Sequence, residues 1–271
     1  MNNKELYTRL KNILSEISEE DYPEIYNIIE NELDFSDEAV YEEAYNIAGE
    51  LHEADGTKIL PECVADFIID VYTDELNSGN VNAACDIGSL YYTGRAGEQN
   101  YKKAVEYYTI AADGGCRQAQ ENLGYCFYYG RDIPVDYEKA FHYFALGAFD
   151  GHLRSLYKIG DMYRNGYYVD KNEVEAFRIY MHCAQGLNED NIHLVGADIM
   201  IRLGDCFFKG IGTEVDNKQA LKYYQLAEQM YYERLESGDF LIKNCYKHVL
   251  KNQEEARQRL NDVLPGYEWT K

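Results

Sequence analysis

The chain has 271 residues, 46% of them hydrophobic, which is enough for one substantial core or two ordinary domains. Its 48 acidic residues outnumber 26 basic ones, for a formal charge of -22. Such a surface repels a phosphate backbone and excludes a general nucleic-acid binder, while favouring solubility and a basic partner. No stretch approaches the 18 apolar residues of a membrane span, and the start, MNNKELYTRLKNILSEISEED, lacks an apolar core of secretory length. A cytoplasmic location is therefore expected. Seven scattered cysteines, at 63, 85, 116, 126, 183, 206 and 245, include no C-x-x-C. They read as reduced thiols used as small hydrophobes.

In chain order, residues 3–18 and 23–33 predict two helices joined at EEDYP. Residues 1–35 form an N-terminal helical cap on this reading. Residues 36–54, SDEAVYEEAYNIAGELHEA, predict a helix with Ser36 as N-cap and acids in the first turn. Pro61 suits the first turn of the next helix, PECVADFIIDVYTDELNSG. Residues 36–81 read as a diverged helical pair, in which Ala48 and Gly49 echo the small residues of a first helix.

Four later segments share one frame: IGSLYYTG at 87–94, LGYCFYYG at 123–130, IGDMYRNG at 159–166 and LGDCFFKG at 203–210. The first glycine recurs at Gly88, Gly124, Gly160 and Gly204, in steps of 36, 36 and 44. The second recurs at Gly94, Gly130, Gly166 and Gly210, and an alanine follows ten residues later at Ala104, Ala140, Ala176 and Ala220. Tyr107–Tyr108, Tyr143–Phe144, Ile179–Tyr180 and Tyr223–Tyr224 come next. Apolar or small residues at i, i+3, i+4 and i+7 give each unit two amphipathic helices. The second glycine suits a left-handed helix end. The first glycine lies mid-helix, at a cost of roughly 1 kcal/mol relative to alanine. Close approach of a neighbouring helix, with an aromatic ring laid on the glycine, explains it, since a side chain there would overpack the contact.

Residues 118–151, QAQENLGYCFYYGRDIPVDYEKAFHYFALGAFDG, resemble a Sel-1-like repeat, a relative of the tetratricopeptide repeat. The resemblance rests on Ala119, Leu123, Gly124, Phe127, Gly130, Asp136–Tyr137, Lys139–Ala140, Ala148 and Gly151. It implies an all-α, right-handed superhelical solenoid of helix-turn-helix repeats, with helical caps at both ends. The repeats would occupy 82–228, divided as 82–117, 118–153, 154–197 and 198–228. The third is eight residues longer, within AQGLNEDNIHLVGADIM, which implies a longer loop or extended helices. Secreted cysteine-rich relatives pair cysteines across helices; the cysteines here recur at no matching positions, so that ladder is not expected. Residues 229–263 read as polar, charged helix, and 229–271 as capping helices and a tail in which Trp269 folds back.

Catalytic chemistry is not visible. The six histidines (52, 142, 152, 182, 193 and 248) include no H-E-x-x-H. No phosphate-binding G-x-x-x-x-G-K-[ST] is present, and His182 and Cys183, adjacent on a helix, diverge. No metal, no cofactor and no enzymatic activity are expected. In helix-pair solenoids the first helices line the inner surface. By frame, the positions facing that groove include Cys85, Ser89 and Tyr92, then Glu121, Tyr125 and Tyr128, then Tyr157, Asp161 and Arg164, then Ile201, Asp205 and Phe208. Aromatic anchors beside acids suit a peptide or protein bearing apolar and basic residues. The expectation is a monomeric, non-catalytic scaffold or adaptor that binds neither nucleic acid nor membrane. A regulatory sensor in a bacterial-type signalling, stress or defence pathway is the alternative. An enzyme subunit would need polar groups converging in a closed pocket.

Overall fold

The computed structural model describes residues 3–34, 44–54, 58–236 and 242–263. The expected N-cap Ser36 and the tail residue Trp269 lie outside the described residues. Among the described residues the chain is helical and contains no strand. The helices are α1 (Asn3–Glu16), α2 (Pro23–Asp34), α3 (Ala44–Glu53), α4 (Glu62–Asn77), α5 (Val81–Thr93), α6 (Tyr101–Asp113) and α7 (Arg117–Tyr129). There follow α8 (Tyr137–Phe149), α9 (Leu153–Asn165), α10 (Glu173–Gln185), α11 (Ala197–Lys209), α12 (Asn217–Glu236) and α13 (Lys243–Val263). Two compact units divide within α8: unit 1 is Met1–Ala140 and unit 2 is Phe141–Lys271.

The repeat is punctuated the same way each time. First helices α5, α7, α9 and α11 end on Gly94, Gly130, Gly166 and Gly210, all left-handed with φ between 65 and 76°. Second helices start behind a side-chain cap. Asn100 accepts from the Lys103 amide, Asp136 from Lys139, Asn172 from Glu175, and Asp216 from Lys218 and Gln219. A cap of this kind contributes about 1 kcal/mol. Between these signals, Ala104, Ala140, Ala176 and Ala220 are fully buried where a longer side chain would hold helices apart.

The mid-helix glycines make the pairs close. A Cβ on Gly88 would lie 2.6 Å from the ring of Tyr108, on Gly160 2.7 Å from Tyr180, and on Gly204 2.6 Å from Tyr224. Each of these tyrosines belongs to the second helix of the same repeat and is buried. Burying such a ring contributes on the order of 2 kcal/mol. The helix-propensity cost of one glycine is about half that, so packing wins.

The diverged pair α3–α4 keeps the register but changes the contact. Tyr72 stands 36 residues before Tyr108, so the residue in the glycine register is His52, and Gly49 meets nothing within 4 Å. Gly49 is therefore not a packing glycine. The buried His52 ring bonds instead: Nδ1 lies 3.2 Å from Tyr72 Oη and Nε2 3.1 Å from Ser89 Oγ. One imidazole thus ties α3 to α4 and α5, and burial pushes its pKa down. Leu6, Leu10 and Ile13 of α1 join Ile25 and Ile29 of α2 in the core that includes Phe67 and Ile68 of α4. Pro61 is the N-cap of α4, not its first residue, and its carbonyl accepts from Val64 and Ala65.

The eight-residue insertion is both a turn and a helix extension. The amides of Asp190 and Asn191 donate to Asn188 Oδ1, and Asn191 Nδ2 donates to the Gly186 carbonyl. A single π-helical turn, Ile192–Gly196, then runs straight into α11. The segment read as one polar helix over 229–263 is divided: α12 continues to Glu236 and α13 starts at Lys243.

Gly204→Ala should destabilise the protein by about 1–3 kcal/mol, because the Tyr224 ring must move. Gly49→Ala should leave stability unchanged or raise it by up to about 1 kcal/mol. Urea unfolding of both variants checks the difference.

Candidate interaction surface

On α7 the helical period puts Glu121, Tyr125 and Tyr128 along one stripe, with Tyr129 beside it. Glu121 is buried, Tyr125 and Tyr128 are half-buried, and Tyr129 is 47% exposed. The Tyr125 and Tyr129 rings stack at 6.3 Å and 10°. Tyr128 meets Tyr129 edge-on at 4.9 Å and Tyr137 at 5.7 Å. Arg131, just past the Gly130 cap, places its guanidinium 5.3 Å from both the Tyr129 and Tyr101 rings. Tyr92 of α5 meets Tyr101 at 5.1 Å. Unit 1 therefore carries a band of tyrosines around one arginine at the ends of α5 and α7. Burial pushes the Tyr92 hydroxyl up, and the nearby Arg131 charge offsets part of that.

Unit 2 uses the matching register differently. Asp161 accepts from Arg202 Nε and Nη2 at 2.7 Å each, a bidentate pair, and from Tyr180 Oη at 2.8 Å. Lys158 Nζ lies 3.5 Å away. The Arg202 guanidinium also stacks 4.2 Å over Tyr157 and donates to the Asp198 carbonyl. Forty-four residues on, Asp205 accepts from Tyr224 Oη at 2.7 Å and from Asn252 at 3.2 Å. Lys209 and His248 lie 3.2 Å from it and Arg164 3.6 Å. Phe208 is covered by Arg259 at 3.9 Å.

Burial pushes the Asp161 carboxyl up, but the Arg202 charge and bonds outweigh it and hold the group below the usual range near 3.8. Asp205 is likewise lowered against burial, by the Tyr224 bond and then the Lys209 and His248 charges. Burial and the adjacent carboxylates push the Tyr180 and Tyr224 hydroxyls up. Carboxylates so saturated with donors act as braces between helices.

The eight expected groove residues therefore separate. Tyr125, Tyr128 and Arg164 retain partial exposure, while Glu121, Tyr157, Asp161, Asp205 and Phe208 are buried. For four of the five the physical reason is a partner: Arg202 covers Tyr157 and Asp161, and α13 covers Asp205 and Phe208. Sequence reasoning missed Tyr129 and Arg131 because they lie outside the packing frame, and it read Tyr101 only as a repeat position. The cationic position two before the glycine, Lys158 and Arg202, was the available signal for the braces.

Of the cysteines, Cys85, Cys116, Cys126, Cys183 and Cys206 are buried, Cys63 is half-buried and Cys245 is exposed, so the small-hydrophobe reading does not extend to Cys245. Burial pushes the Cys126, Cys183 and Cys206 thiols up to about 12, far from a nucleophile's range. Among the described residues no group of three or more His, Cys, Asp or Glu could hold a metal ion, and no helix is long and apolar enough to cross a membrane.

The Sel1 repeat family matches residues 81–116, 117–152, 153–180 and 197–232. The chain belongs to the Sel1 repeat family. Proteins of this family generally mediate protein–protein interactions and are generally non-catalytic. Among solved structures, this Sel1 protein is similar to c5321, a protective antigen of uropathogenic Escherichia coli with an SLR fold, at 22% identity and a TM-score of 0.57. That match covers 82% of this chain and 48% of the other, so the chain spans about half that protein's length. A Sel1 repeat protein from Oxalobacter formigenes is similar at 21% identity and a TM-score of 0.56, over 83% of this chain and 87% of that one. These likenesses establish the helical-repeat fold. No curated protein matches the chain.

Arg202→Met should cost about 3–5 kcal/mol, since it strands a buried carboxylate. Adding Asp161→Asn should recover much of the loss. Because the folded carboxyl is depressed, its contribution is complete above about pH 4 and fades as pH falls further. Thermal melts from pH 6 to 3 should therefore fall less steeply for the double variant than for the parent protein.

Proposed function

We propose that the chain is a non-catalytic scaffold that holds a partner protein or peptide against the first-helix face of unit 1, with Tyr125, Tyr128, Tyr129 and Arg131 as anchors. The observation that carries this reading is the tyrosine band itself. Tyrosine and arginine are enriched among the residues that carry binding energy at protein interfaces, and tyrosine buries a large, rigid area at little entropic cost. A band this rich in aromatic rings exceeds what the repeat frame needs for packing.

The partner should bring apolar and basic residues. Residues 1–79 alone hold 21 acidic and 4 basic side chains, so unit 1 attracts cations at long range. Apolar groups would meet the tyrosine faces, and a Lys or Arg would find both ring quadrupoles and nearby carboxylates. An extended or helical peptide satisfies both demands.

Tyr125→Ala with Tyr129→Ala, compared with the parent chain in affinity purification from the native host, tests the reading. The double variant should lose its main partner while keeping its melting temperature within about 3 °C. Retention of the same partner by a folded double variant would remove the tyrosine band from the proposal.

A further inference from the structure

In unit 2 the last helix, α13, behaves as the first helix of a fifth repeat. Its Asn252 and His248 reach Asp205, as Arg202 of α11 reaches Asp161 one repeat earlier. Asn252 also bonds Tyr224 Oη, and Arg259 caps Phe208. A repeat has two helices, and in the fourth repeat the second of these, α12, touches the preceding second helix α10 through Tyr223 Oη, 4.0 Å from Met181 Sδ. The same 44-residue step carries Met181 to Gln225 and His182 to Leu226. These face a groove of about 750 Å³ between α12 and α13, which Tyr232, Tyr246 and Leu250 also line. Tyr232 is 51% and Leu250 39% exposed. No described helix covers this face.

We infer that the α12–α13 groove is the seat of one amphipathic helix from another protein, held where the second helix of a fifth repeat would lie. The continuity of the stack defines the shape of the occupant, and charge defines its polarity. Consecutive second helices run in the same direction, because each follows an antiparallel first helix through a short turn. The occupant therefore starts beside the first turns of α12 and the end of α13. Lys222 and Arg257 stand at that end of the groove. An acidic first turn answers both cations and also suits a helix N-terminus. This chain's α10, a second helix, begins that way with Glu173 and Glu175. The apolar face needs aromatic or aliphatic residues at i, i+3 or i+4, and i+7. The site is separate from the tyrosine band of unit 1.

A fluorescent peptide with the sequence of residues 172–186, carrying Cys183→Ala, is the probe. Its anisotropy against the full chain should saturate, and a scrambled peptide should not bind. Leu226→Glu with Leu250→Glu should weaken binding at least tenfold. Lys222→Glu with Arg257→Glu should weaken it several-fold, and a peptide with Glu173→Lys and Glu175→Lys should restore it. Circular dichroism confirms that the variants fold, and Tyr125→Ala with Tyr129→Ala should leave this affinity unchanged. Absence of saturable binding, equal binding of the scrambled peptide, or indifference to both groove variants would overturn the inference. So would binding that appears only when residues 264–271 are removed, which would give the seat to the chain's own tail. A dimer that Leu250→Glu dissociates in light scattering would give it to a second copy and overturn it as well.

Discussion

The fold depends on one contact, an aromatic ring lying on a helix backbone. Tyr108, Tyr180 and Tyr224 approach Gly88, Gly160 and Gly204 to a distance that no side chain at those positions allows. Everything periodic in the chain serves that contact. The left-handed glycine stops the first helix, an Asn or Asp starts the second, and the small alanine lets the helices close. A slip of one residue would turn the ring by about 100° around the helix and lose it. The repeat is therefore specified by its geometry as well as by hydrophobicity.

The same tyrosines also carry a polar role. In unit 2 their hydroxyls reach carboxylates that a second cation or amide then grips from the next helix. Buried ion pairs are weak sources of net stability, because desolvation offsets most of the attraction. Their value here lies in register: a misaligned helix would leave a buried carboxylate without its donors. Hydrophobic contact brings the helices together, and the braces select one alignment.

The repeat units were legible in the sequence because glycine, alanine and aromatic spacing report backbone approach directly. The partners of individual side chains were not. Asp161 and Asp205 looked like groove acids, since spacing assigns a face but says nothing of what reaches it from the next helix. Arg202 arrives from 41 residues away, and His248 and Asn252 from a segment read only as a polar helix. The bonding role of His52 in the diverged pair was not legible for a related reason. His52 holds the glycine register by bonding rather than by yielding space, and spacing alone does not report a bond. Within the tyrosine band, Tyr92, Tyr125 and Tyr128 were readable by frame, whereas Tyr129 and Arg131 are not frame positions and were not marked by spacing.

The second repeat differs from the third and fourth at two positions. Phe144 stands where Tyr180 and Tyr224 stand in later repeats, and Tyr125 where Asp161 and Asp205 do. A phenylalanine fills the same volume but has no hydroxyl to offer a carboxylate. The first repeat keeps the hydroxyl, on Tyr108, but has Ser89 in place of the acid, so the hydroxyl–carboxylate brace belongs to the third and fourth repeats. One oxygen atom per repeat thus decides whether a helix pair is aligned by an ionic clasp or by ring packing alone.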